Sequence, residues 1–117
     1  RAQEIKESLE ADIQEELTHA GRLGQRLKQL NARPPGSAAF TASQESLQPP
    51  EDSTDVLAVI RGVLDAEEDA IATYRRLVTL ADEADDPVTE DLAVEILGDE
   101  EAHRTEFRGF EKEYSDS

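Results

Sequence analysis

Gly98-Asp99-Glu100-Glu101-Ala102-His103 is the stretch on which the fold turns. On a helix, Glu100 and His103 are one turn apart and share a face. The chain has two histidines, and the other, His19, has Glu16 at the same offset. Glutamate accounts for 17 of 117 residues, so both histidines would carry a glutamate three positions earlier with a chance of about 0.02. The duplication therefore exceeds chance, and the helices that carry it organise the rest of the chain.

His103 belongs to a helix expected over 87–114. Its apolar stripe is Leu92, Ile96, Phe107, Phe110 and Tyr114, interrupted by Glu100 and His103. Asp85-Asp86-Pro87 precedes it as a short turn, with Asp86 as N-cap and Pro87 in the first helical position. A link this short makes the preceding helix, 55–84, an antiparallel neighbour. That helix has Ser53, Thr54 or Asp55 as N-cap candidates and a stripe of Val56, Ile60, Val63, Ala70, Tyr74, Leu77 and Ala81. Glu67 falls between Val63 and Ala70, where the pattern calls for an aliphatic side chain.

Residues 1–30 read as a third helix, with Ala2, Ile5, Leu9, Ile13, Ala20, Leu23, Leu27 and Leu30 as its stripe and Glu16 filling the step from Ile13 to Ala20. Asn31 followed by Pro34-Pro35-Gly36 ends it. Residues 31–54 are rich in Pro, Ser and Ala, and far exceed the roughly 2–8 residues that join antiparallel helices. They are expected to cross over along a bundle and join two parallel helices, with Phe40 and Leu47 pinning the crossover down. A span of roughly 40 Å is needed to bring Glu16 and Glu67 to one level, and an extended segment of this length reaches about 80 Å. The expectation is a single all-α domain over 1–117. The chain opens on Arg1 inside an apparent helix and contains no Met, so the true N-terminus is expected to lie upstream.

Composition narrows the chemistry. Twelve basic against 28 acidic residues give a net charge of −16, a surface that repels DNA and anionic membranes and attracts cations. Nine of the twelve basic residues are Arg, which with the acidity suits a high-salt cytoplasm. The absence of cysteine excludes thiolate metal sites and disulfides from this chain. With no long apolar run and no signal-peptide pattern, a soluble cytoplasmic protein is expected.

Each helix thus carries a carboxylate on the face that should be dry. Burying an unpaired carboxylate costs several kcal/mol at least, so a partner is required. Lys6, Lys28, Arg61 and Arg75 lie too far along the helices or on other faces, which leaves divalent cations. Carboxylate with imidazole and no thiolate selects Fe(II) or Mn(II). Glu16, His19, Glu67, Glu100 and His103, with Glu67 bridging, form the expected ligand set: a duplicated Glu-x-x-His is the donor pattern of a di-iron site in a four-helix bundle. Taken singly, Glu67 reads as a rim residue and either histidine as a hydrogen-bonded core residue; the joint pattern outweighs both readings. Glu15, Glu68, Asp99 and Glu101 read as solvated or as partners of the ligands, and Tyr74 as a core residue.

The segments EELTHAGRLGQRLKQL, VLDAEEDAIATYRRL and DPVTEDLAVEILGDEEAH resemble the ferritin-like superfamily, specifically its bacterioferritin and Dps-like ferritin branch, over most of residues 10–107. The resemblance implies a four-helix bundle with a long crossover, of which this chain holds the last three helices. It implies that Glu16 and Glu100 bridge or chelate two irons and that His19 and His103 are terminal ligands. The family's first helix and its ligand Glu are absent, so an upstream segment or another chain is expected to complete the bundle. Bacterioferritins bind haem through a Met directly after the Glu of the first pair; Leu17 stands there, so no haem is expected. The cysteine pair of many Dps-like ferritins and the cysteine domain of rubrerythrins are also absent.

The function implied is a ferroxidase that oxidises Fe(II) with dioxygen or peroxide and stores the mineral in a homo-oligomeric cage. Two alternatives stand beside it: a non-cage di-iron or di-manganese peroxide-reducing enzyme, and a metal-free acidic helical interaction protein. No nucleic-acid or membrane partner is expected.

Overall fold

The computed structural model describes residues 2–31 and 55–115, which form three helices and, among the described residues, no strand. They are α1 (Ala2–Gln29), α2 (Val56–Glu83) and α3 (Pro87–Ser115). The fold is all-α. Of the expectations above, the crossover with Phe40 and Leu47, the Pro34-Pro35-Gly36 stop and the Ser53 and Thr54 caps lie outside the described residues. The chain divides into two compact units, one holding α1 and the other α2 and α3.

In the first unit, α1 ends where Asn31 takes a left-handed conformation (φ 58°) and its N–H donates to the Lys28 carbonyl at 3.0 Å. Asparagine tolerates that conformation better than most residues, and a capping turn of this kind satisfies a carbonyl that the helix itself leaves open. Two lines of residues compete for the inner face of α1. Both pass through Ile5, Leu9, Leu23 and Leu27, but one continues through Ile13, Glu16 and Ala20 and the other through Asp12, Glu15 and His19. The buried residues of α1 are Ile5 and His19, with Asp12 and Glu15 half-buried, whereas Ile13, Glu16 and Ala20 are exposed. The second line is the less exposed one, which corrects the stripe expected through Ile13 and Ala20.

In the second unit, α2 and α3 pack against each other as an antiparallel hairpin. The direction follows from the cross-helix ion pairs, in which rising numbers on α2 meet falling numbers on α3: Arg61 with Glu111, Glu68 with Arg104, and Arg75 with Glu101. Asp55 caps α2, its Oδ1 accepting from the Ala58 N–H at 3.0 Å. The turn is a Schellman closure: the Asp86 N–H donates to the Ala81 carbonyl at 2.9 Å and the Asp85 N–H to the Asp82 carbonyl at 3.1 Å. Asp85 sits at φ 55°, where glycine is usual. The Asp86 side chain then caps α3 by accepting from the Thr89 N–H at 3.1 Å and from the Thr89 hydroxyl.

The buried apolar residues of the hairpin are Ile60, Leu64, Ile71 and Ala81 on α2 and Ala93, Ile96, Phe107 and Phe110 on α3. Phe107 and Phe110 meet edge to face with centroids 5.2 Å apart, the favoured geometry for an aromatic pair. The expected α2 stripe holds at Ile60, Glu67 and Ala81 but is one residue out between them. Leu64 and Ile71 are buried, while Val63 and Ala70 are half-buried. Apolar residues occupy both adjacent lines of α2, and the larger side chains take the interior, where more area leaves water. On α3, Ala93 is buried and Leu92 and Tyr114 are half-buried. No helix among the described residues is long and apolar enough to cross a membrane.

Candidate metal centre

Halfway along the hairpin the dry face becomes polar. Glu67, Glu100 and His103 occupy positions that the helical period assigns to the interior, and all three are buried, Glu100 to 1% exposure. They continue the apolar lines without a break: Ile60, Leu64, Glu67, Ile71 on α2 and Ile96, Glu100, His103, Phe107 on α3. The apolar residues above and below fix the level at which the polar ones meet.

His103 Nδ1 lies 3.7 Å from Glu67 Oε1 across the helix pair and 3.7 Å from Glu100 Oε2 along α3. These separations exceed those of good hydrogen bonds, but they suit donor atoms gathered around a common centre. One donor atom from each of the three residues can be chosen so that all lie within 4.8 Å of one another. A cation ligated at about 2.0–2.2 Å holds its donors at mutual distances of this order or less. Glu67 Oε2 is buried and, among the described residues, accepts no hydrogen bond. A carboxylate oxygen in that condition costs about 1–3 kcal/mol, and a bound cation would remove the cost. The residues present therefore fit a divalent metal.

The other expected pair lies on α1, in its own unit. Glu16 and His19 are one turn apart, with His19 Nδ1 3.6 Å from Glu16 Oε1, and the Glu16 side chain is 46% exposed. His19 Nε2 lies 3.9 Å from Glu15 Oε1. Both ring nitrogens of His19 therefore face a carboxylate. Of the five residues expected as ligands, Glu67, Glu100 and His103 come together within the hairpin.

Two arginines of the hairpin are engaged on its surface. Arg61 and Arg75, set aside in the sequence, pair with Glu111 at 3.4 Å and Glu101 at 3.1 Å. Glu68 accepts from Arg104 at 3.3 Å and from Arg108 at 3.1 Å. Glu68 and Glu101, read in the sequence as solvated or as partners of the ligands, are thus tied into cross-helix ion pairs. The arginines Arg104 and Arg108 carry no signal in the sequence, because any arginine in so acidic a chain has many possible partners.

Compared with known families, residues 2–114 match the model described as Ferritin-like domain. No curated protein and no solved structure matches the chain.

Proposed function

Because the chain belongs to the ferritin-like family, we propose that it is a di-iron ferroxidase of the bacterioferritin and Dps-like kind, oxidising Fe(II) with dioxygen or peroxide for iron storage and detoxification. The observation that carries this reading is the buried trio of Glu67, Glu100 and His103, with a carboxylate oxygen of Glu67 that accepts no hydrogen bond among the described residues. The proposed ligand set is Glu16, His19, Glu67, Glu100 and His103, with Glu67 bridging two metal positions.

Iron is the substrate here, each Fe(II) giving one electron to the oxidant, and Mn(II) suits the same donors. Glu67 and Glu100 bring two negative charges to one buried place, where charge interactions are stronger than in water. They hold a triply charged ion more tightly than a doubly charged one, which favours oxidation. His103 adds a neutral donor and so limits the negative charge that must be buried without metal. The apolar residues on either side, Leu64, Ile71, Ile96 and Phe107, keep water from the ligands.

The proposal extends to assembly. A single domain in each subunit, a homo-oligomeric cage and a cytoplasmic setting suit the role, and the net charge of −16 draws cations toward it. Anomalous scattering at the iron and manganese edges, from crystals soaked anaerobically with Fe(II) or Mn(II), tests the centre. A peak among Glu67, Glu100 and His103 is expected; its absence in both soaks overturns the ferroxidase reading. Light scattering tests the cage, since a dimer-sized particle would exclude storage.

A further inference from the structure

Each member of the buried trio is followed in the chain by a charged residue: Glu67 by Glu68, Glu100 by Glu101 and His103 by Arg104. One residue turns a helix by about 100°, so these neighbours stand on the flank of the hairpin beside the trio. There they interlock. Arg104 lies 3.3 Å from Glu68 through Nη1 and 3.9 Å from Glu101 through Nη2. Arg108 also reaches Glu68, and Arg75 reaches Glu101 from the opposite helix. Arg104 is the hub: its side chain is 19% exposed, against 60% for Arg108 and 62% for Arg75.

We infer that Arg104 is a positioning residue for the metal centre, which sets the rotation of α2 and α3 so that Glu67, Glu100 and His103 face one another before any cation arrives. The inference rests on reading the trio as a metal site. Exposed ion pairs contribute little in water, so the ladder adds little stability. Its consequence is geometric. Holding Glu68 from α3 ties the rotation of α2, and so the direction of Glu67, to that of α3, while the Arg104–Glu101 pair lies within α3 and steadies the guanidinium. Only a guanidinium presents several donors in one rigid fork, able to address both carboxylates.

The sign of the effect separates positioning from charge. Removing a positive charge near a cation site tightens cation binding if electrostatics alone operate, and weakens it if geometry is lost. Mn(II) is titrated into the full chain at physiological ionic strength, with free Mn(II) read by electron paramagnetic resonance. Specific binding is the part abolished by Glu100→Ala. Arg104→Gln is expected to weaken it roughly fivefold, the upper end of what one lost cross-helix ion pair changes. Arg104→Lys, which keeps the charge and loses the fork, is expected to weaken it by roughly threefold. Arg61→Gln, which breaks the ion pair to Glu111, is expected to leave affinity unchanged. Equal or tighter binding by Arg104→Gln overturns the inference. If that variant does not fold, the lysine variant decides, and unchanged affinity in it overturns the inference. A wild-type chain with no specific Mn(II) binding overturns the metal reading itself, and this inference with it.

Discussion

Replacing Glu67 by leucine is expected to stabilise the protein in chelator and to leave it the less stable form in divalent cation. Without metal, the substitution removes a buried carboxylate oxygen that accepts no hydrogen bond among the described residues, a gain of about 1–3 kcal/mol. Against this stands the loss of the Glu67 contact to His103 Nδ1, which at 3.7 Å is too long for a good hydrogen bond. His103 Nδ1 stands at the same 3.7 Å from Glu100 Oε2, a contact the substitution leaves in place. The net expectation is about 1 kcal/mol in favour of leucine, which in a domain of this size raises the melting temperature by roughly 3–6 °C. With cation at a hundred times its dissociation constant, the wild type gains about 2.7 kcal/mol. The variant, lacking a central ligand, gains little, and the order of stabilities inverts. Thermal unfolding followed by far-UV circular dichroism, in chelator and in Mn(II), reads both halves. A leucine variant less stable than wild type in chelator would refute the reasoning, because Glu67 would then be a structural asset and not a ligand held in waiting.

Two other substitutions probe the centre and the turn. Glu100→Ala is expected to abolish rapid Fe(II) oxidation, followed by absorbance of the ferric product, while helicity stays nearly intact; unchanged kinetics would count against the centre. Asp85→Gly relieves a left-handed residue at φ 55° and is expected to add about 0.5–1 kcal/mol, read as a rise in the urea midpoint with an unaltered slope.

Much of the fold was legible because punctuation and period agree. Asp86-Pro87 and Asp55 are strong local start signals, and the structure uses both. The trio was legible for the same reason: Glu67, Glu100 and His103 break apolar lines at spacings that only a helix makes regular. Register within a helix was harder. On α2, Val63 and Leu64 both qualify as interior, as do Ala70 and Ile71, and periodicity cannot choose between adjacent apolar lines. On α1 the choice between the Glu16 and Glu15 lines is finer still, since both pass through carboxylates. The ion pairs were not legible at all. Arg61 meets Glu111 and Arg104 meets Glu68 across dozens of residues, and such pairings depend on how two helices are rotated.

The turn between α2 and α3 has no slack, since Asp86 closes one helix with its backbone and opens the next with its side chain. The turn therefore resists lengthwise sliding of the two helices, and a tilt about that end is the motion that would part Glu67 from Glu100 and His103, the two jaws of the site. Glu67 lies roughly 25 Å from the pivot at 1.5 Å per residue, so a tilt of about 5° opens the jaws by roughly 2 Å. The same tilt displaces Ile60, Phe107 and Phe110, which lie farther from the turn, still more, so the burial of those residues is what holds the jaws together.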